Sequence, residues 1–271
     1  MSSFNYAAAF GIHSVAAAGV FSALYCILGV WFVRQSFKNT TYVYIVLTLF
    51  CLMRIPGFII RAVMANSAAA GSNLQLFIAD QVLFGVGFFA LLYSAYTLVL
   101  DRDVLAGGKR GGFWSLNLMR NSHLFRIILM AGVAVGIVGT VDSTSSDASQ
   151  VSTGHTLRQA GTGIFLVLTV VQAGQSILFF RDTPQISNAW GDRHGRYLIC
   201  FLSLLMLIRE IFLTATINNS SQQNNERLWY PLVALPEFLA VLCYSVSGLV
   251  PPRAALKEAE NRDGEYKMQS A

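Results

Sequence analysis

The sequence predicts an all-α, polytopic membrane protein, a bundle of seven transmembrane helices. Three observations lead there. Of 271 residues, 54% are hydrophobic and only 12% charged, against about 25% charged in an ordinary soluble domain. The apolar residues gather in runs of 18 or more, long enough to cross a hydrocarbon core of about 30 Å as helices. Lys and Arg alternate between successive connecting segments, as membrane orientation requires. With that distribution the net charge of +5 orients loops, and it is no footprint of nucleic acid.

Window length places the spans at 8–33, 42–65, 76–100, 124–141, 157–180, 196–217 and 228–250. The first lacks a basic leader and a persuasive cleavage site and is too long for a signal peptide, so it is expected to remain as a span. The fourth is the shortest. Segments 34–41, 101–123, 181–195 and 251–271 hold twelve Lys and Arg, whereas the N-terminus, 66–75, 142–156 and 218–227 hold only Arg227. This bias puts the N-terminus outside the cytosol and the C-terminus inside it, which requires an odd number of spans. The organisation expected is one transmembrane domain, 1–250, and a polar cytosolic tail, 251–271. Sequons at Asn218 and Asn219 would then face the lumen, and the one at Asn39 the cytosol. The Gly-rich basic stretch LAGGKRGGF (105–113) lacks the GK[ST] ending of a phosphate loop and reads as a cytosolic connector.

Much chemistry is missing. Cys26, Cys51, Cys200 and Cys243 fall in separate apolar runs, and the four His residues have no metal-like spacing, so neither metal nor cofactor is expected. There is no GxSxG, HExxH, P-loop or dinucleotide fingerprint. DRD (101–103) reads as a juxtamembrane charge cluster, and no DDxxD motif offers to ionise a diphosphate with a metal.

Charge inside the spans is what remains. Arg54, Arg61, Asp80, Arg209, Glu210 and Glu237 lie within or near the ends of apolar runs, and a charge at a helix centre costs about 2.5–3.5 kcal/mol on insertion scales. Three are basic and three acidic, so mutual compensation is expected. A rise of about 1.5 Å per residue sets Arg54, Arg209, Glu210 and Glu237 in one layer, about 17–20 Å above the cytosolic boundary. Arg61 and Asp80 lie nearer the outer surface and are expected to face each other. Adjacent Arg209 and Glu210 project about 100° apart, so each is expected to serve a different neighbour. Tyr230, Glu237 and Tyr244 recur every seven residues and should share one face of span seven. Arg158, Thr162, Thr169, Gln172 and Ser176 form a polar stripe on span five. Such groups can simply fix helix register, or they can enclose a dry pocket that holds a carboxylic acid away from water. In the second case Glu237 or Glu210 could protonate an alkene or epoxide, with Trp229, Tyr230, Tyr244 and Phe212 stabilising the cation through their ring faces.

The stretches LIREIF (207–212), ERLWYPLVALPE (226–237) and GLVP (248–251) resemble a family of fungal seven-span proteins that is taken to include the membrane-bound terpene cyclases of meroterpenoid pathways. The resemblance covers about a third of the chain. It implies a metal-independent isomerase or lyase that cyclises a prenylated, in some cases epoxidised, precursor in the endoplasmic reticulum or another endomembrane, with the lipid bilayer and a hydrophobic small molecule as partners. A second pattern, R-x-x-G-F-x-x-R (54–61) with a Gln-bearing third span and I-R-x-x-F (208–212), is similar to fungal lipid-translocating exporters, which would imply export at the plasma membrane. Those exporters carry an acidic residue where Arg54 stands, and an Arg and a Glu near the places of Leu213 and Thr216. Seven spans alone also suit a receptor-like sensor, an analogy of fold only.

Overall fold

The computed structural model describes residues 5–105, 122–145, 147–179, 189–259 and 261. Among them the secondary structure is helical, without a strand. Most of the 105–113 connector and most of the tail beyond 259 lie outside the described residues. Among the described residues, six helices are long and apolar enough to cross a membrane: α1 (Val15–Lys38), α2 (Tyr42–Asn66), α3 (Leu74–Leu105), α4 (Ser122–Asp142), α5 (Ala148–Phe179) and α6 (Gly195–Ala215). The seventh, α7, is helical from Glu226 to Cys243 and contains a π turn at Tyr230–Ala234.

The first span starts later than expected. A short helix, Tyr6–Ala9, ends at Gly11, whose φ of 75° turns the chain. Ser14 then caps α1, its hydroxyl accepting from the Ala17 amide at 3.1 Å. The π turn in α7 is explained by Pro231 and Pro236, which cannot donate backbone hydrogen bonds. Here the Leu235 amide reaches back five residues to the Tyr230 carbonyl. One extra residue in a turn rotates the remainder of the helix by about 100°, so the seven-residue spacing no longer aligns Tyr230 with Glu237.

Apolar side chains point outward as well as inward. Ile27, Val30 and Phe37 of α1 and Ile177 of α5 are more than 60% exposed, a surface that suits acyl chains and not water. Because lipid gives little hydrophobic drive between helices, close packing and polar contacts must hold the bundle. The α4–α5 pair shows the first. A Cβ on Gly139 would lie 2.5 Å from the Arg158 amide nitrogen, and one on Gly154 would lie 2.3 Å from that of Ser143. Near the C-terminal end of the expected polar stripe, Gln172 donates to Ser176 and Ser203, each at 3.1 Å, which ties α5 to α6.

At its C-terminal end α7 stops seven residues short of the expected boundary. The chain turns through Gly248 (φ 86°), where a Cβ would lie 2.6 Å from that of Ala189. Arg102 holds this turn: its guanidinium donates to Gly248 O at 2.6 Å, Leu249 O at 2.8 Å and Asp192 Oδ1 at 2.6 Å. DRD thus supplies a buried structural clasp, not only a surface cluster. Past the turn, Asn39 Oδ1 accepts from the Arg253 amide at 3.1 Å, and residues 253–259 are helical. The beginning of the expected tail is therefore part of the bundle.

Candidate functional site

The intramembrane charges meet where α2, α3, α6 and α7 converge. Arg54, fully buried, donates through Nη2 to Glu237 Oε1 at 2.7 Å and to Phe84 O at 3.1 Å, and through Nη1 to Leu83 O at 3.0 Å. Arg209 donates through Nε to the same Glu237 oxygen at 2.5 Å and through Nη1 to Glu210 Oε1. One carboxylate thus bridges two arginines. Adjacent Arg209 and Glu210 do contact each other, contrary to the expectation from their 100° divergence. The long guanidinium arm wraps around the helix and serves both acids.

About two turns further along α2, Arg61 Nε donates to Asp80 Oδ1 at 3.0 Å. Gln81 Nε2 donates to Asp80 Oδ2 and to Asn224 Oδ1, each at 3.1 Å. Three arginines and three carboxylates, all buried, are therefore mutually paired. Aromatic faces add to this: the Arg61 guanidinium carbon lies 3.5 Å from the Trp229 ring centre, and that of Arg209 lies 3.9 Å from that of Phe88.

Small residues make room for this layer. A Cβ on Gly87 would sit 2.5 Å from Arg54 Nη1. Gly87→Ala is expected to push the guanidinium off its carbonyl acceptors and to destabilise the protein by about 1–3 kcal/mol, the usual cost of overpacking. A lowered midpoint of thermal unfolding in detergent would register it. Gly85→Ala is the control, because a Cβ there meets nothing within 4 Å; an equal loss in both variants would refute the steric account.

Above the charged layer lies a cavity of about 120 Å³ between α3, α4, α5, α6 and α7. Its apolar wall includes Phe84, Phe88, Phe165 and Trp229, and its polar wall includes Arg61, Arg158, Arg209, Glu210, Gln223 and Asn224. Gly85 and Gly136 also line it; neither position has an atom within 4 Å of an added Cβ, and Gly85 is exposed. The cavity wall thus has room for a larger side chain at Gly85 of α3 and Gly136 of α4.

The structure separates the two candidate acids. Glu210 lines the cavity, whereas Glu237 does not. Glu237 Oε2 is buried with no hydrogen-bond partner among the described residues. Of the expected aromatics, Trp229 is on the cavity wall. Tyr230 stacks instead on Phe21 of α1, 5.5 Å between ring centres, because the π turn rotates it away. Tyr244 is fully buried, and its hydroxyl has no partner among the described residues. Phe212 belongs to the apolar core and is not part of the cavity wall. Asn218 and Asn219 are exposed between α6 and α7; Asn219 caps the short helix Ser220–Asn224. That helix brings Gln223 and Asn224 to the cavity, a contribution that its polar sequence, SSQQN, did not signal.

A family model described as a domain of unknown function matches residues 12–253. No curated protein and no solved structure matches the chain.

Proposed function

From the premise that the chain belongs to this family, DUF7702, we propose that it is a multi-pass membrane protein that works as a metal-independent terpene cyclase of an endomembrane, with Glu210 as the proton donor. One observation carries the reading: Glu210 is the intramembrane carboxyl on the wall of a cavity that also presents aromatic rings. In its protonated form, with Glu237 left as the counter-ion of Arg209, Glu210 would add its proton to an alkene or epoxide of a prenylated substrate. The resulting cation would close one or more rings and lose a proton, leaving an isomer of unchanged mass. The enclosed volume of about 120 Å³ is below the roughly 300–1,000 Å³ of typical ligand pockets. Only the reacting end would fit inside, and the rest would extend past Gly85. Membranes containing the full-length protein, given prenylated aromatic substrates with and without an epoxide, should yield such an isomer. No conversion of any of them would argue against cyclisation.

Gly85→Trp should fill this room and slow conversion about tenfold or more, a block comparable to misplacing a reactant, while the thermal midpoint stays near that of the wild type. Unchanged initial rates would show that substrate enters elsewhere.

Translocation of a lipid or metabolite is the second reading, and a specific feature favours it. Guanidinium groups already cover faces of Trp229, Phe84 and Phe88, which leaves fewer rings for a carbocation. A cavity with an apolar and a polar wall also suits passage. If loss of the protein redistributes a lipid or metabolite across the membrane and no isomer forms, this reading replaces the first.

A further inference from the structure

A fourth cation stands on the cavity wall outside the paired set. Arg158, half-buried on α5, donates through Nη2 to Gln223 Oε1, and Gln223 Nε2 in turn donates to Leu213 O at 3.3 Å. No carboxylate forms a salt bridge with Arg158 among the described residues, whereas Arg54, Arg61 and Arg209 each have one. Among the described residues the cavity wall therefore keeps one positive charge without a carboxylate partner.

Its height matters. Arg158 lies twenty-one residues above Phe179 along α5, about 32 Å, and so at the outer edge of a hydrocarbon layer of about 30 Å. Glu210 lies fifteen residues above Gly195 along α6, about 22 Å up, roughly two helical turns deeper. The wall carries Val133, Ile137, Phe165 and Leu213 on its apolar side and Arg61, Thr162 and Asn224 on its polar side. The cavity thus has the Arg158 cation at the rim, a mixed apolar and polar wall, and the Arg209–Glu210 pair at the floor.

We propose that the ligand of this cavity is an amphiphile with one anionic oxygen group, a phosphate or a carboxylate, which Arg158 binds at the rim while its apolar chain points down toward Glu210. The inference rests on reading the cavity as a ligand site, and it adds the class of head group. A planar guanidinium with several donors matches the oxygens of such a group, and Gln223 fixes one edge of Arg158 so that less freedom is lost on binding.

The test uses the full-length protein in phosphatidylcholine nanodiscs and reads binding alone. Farnesyl phosphate should bind at least tenfold more tightly than farnesol, which has the same chain without the charge. Arg158→Gln should abolish that difference and leave farnesol binding unchanged, and Arg158→Lys should retain part of it. Inorganic phosphate alone should not compete at millimolar concentration; if it does, the chain contributes nothing and the amphiphile is refuted. Phosphatidic acid added to the discs separates the sources: competition supports a lipid head group as the natural anion, and its absence supports a soluble amphiphile. Equal wild-type affinity for farnesyl phosphate and farnesol would overturn the proposal, as would a preference that survives Arg158→Gln. Should that variant fail to fold, the wild-type comparison still decides. The cyclase reading fails separately, through absence of an isomer. Tight anionic binding without turnover would leave this inference standing, and turnover without anionic preference would remove it.

Discussion

Glu210→Gln is expected to lower cyclisation turnover about a hundredfold or more, the range by which a positioned general acid contributes, while expression and thermal midpoint remain close to wild type. The amide keeps the shape of the side chain and can still accept from Arg209, but it has no acidic proton to give. Glu210→Asp should retain a little activity, since the proton remains and its reach shortens. Initial rates in isolated membranes, paired with unfolding in detergent, separate chemistry from folding. Wild-type turnover in Glu210→Gln would mean that the carboxyl is structural and that the acid has been misassigned.

Glu237→Gln should do the opposite, with its largest effect on folding. Its Oε1 accepts from Arg54 at 2.7 Å and from Arg209 at 2.5 Å. Without that carboxylate Arg209 still has Glu210, but Arg54 keeps only carbonyl partners. Stranding one member of a buried pair costs about 3–5 kcal/mol, much of the roughly 5–15 kcal/mol by which a domain is stable. Little protein should survive detergent extraction as a monodisperse peak. Adding Arg54→Leu should restore part of it, because the double variant strands no charge. Arg54→Leu alone should be milder than Glu237→Gln, since Glu237 would still be shared with Arg209. If the double variant is no better than Glu237→Gln, electrostatic compensation does not hold this layer together.

Much of the bundle was legible because lipid imposes a coarse rule: apolar length sets the spans and loop charge sets their order. The shared depth of Arg54, Arg209, Glu210 and Glu237 was legible for the same reason, since rise per residue is nearly constant in a helix. Facing was less so. Periodicity assumes an unbroken helix, and the π turn before Pro236 carried Tyr230 to Phe21. Side-chain length also defeated a simple projection, because Arg209 reaches round to Glu210. The cavity itself had no local signal. Its rim comes from Ser220–Asn224, a polar connection that reads as a loop until folding lays Gln223 and Asn224 beside Arg158 and Arg61. Gly85, Gly87 and Gly136 have their meaning only against the helices opposite them.

That a single carboxylate on α7 serves two arginines also has a consequence for biogenesis. Arg54 precedes Glu237 by 183 residues, so at about 5–20 residues per second it waits roughly ten to forty seconds after synthesis for its counter-ion. During that interval α2 is in or beside the translocation channel with an uncompensated guanidinium, held by snorkelling toward a polar interface or by the carbonyls of α3. Arg209 has Glu210 beside it from the start and waits only for the next helix to gain Glu237. The seventh span, made after the other six, therefore acts as the latch of the assembly, and a chain cut short before Glu237 would present a charged, unlatched bundle to the quality-control proteases of its membrane.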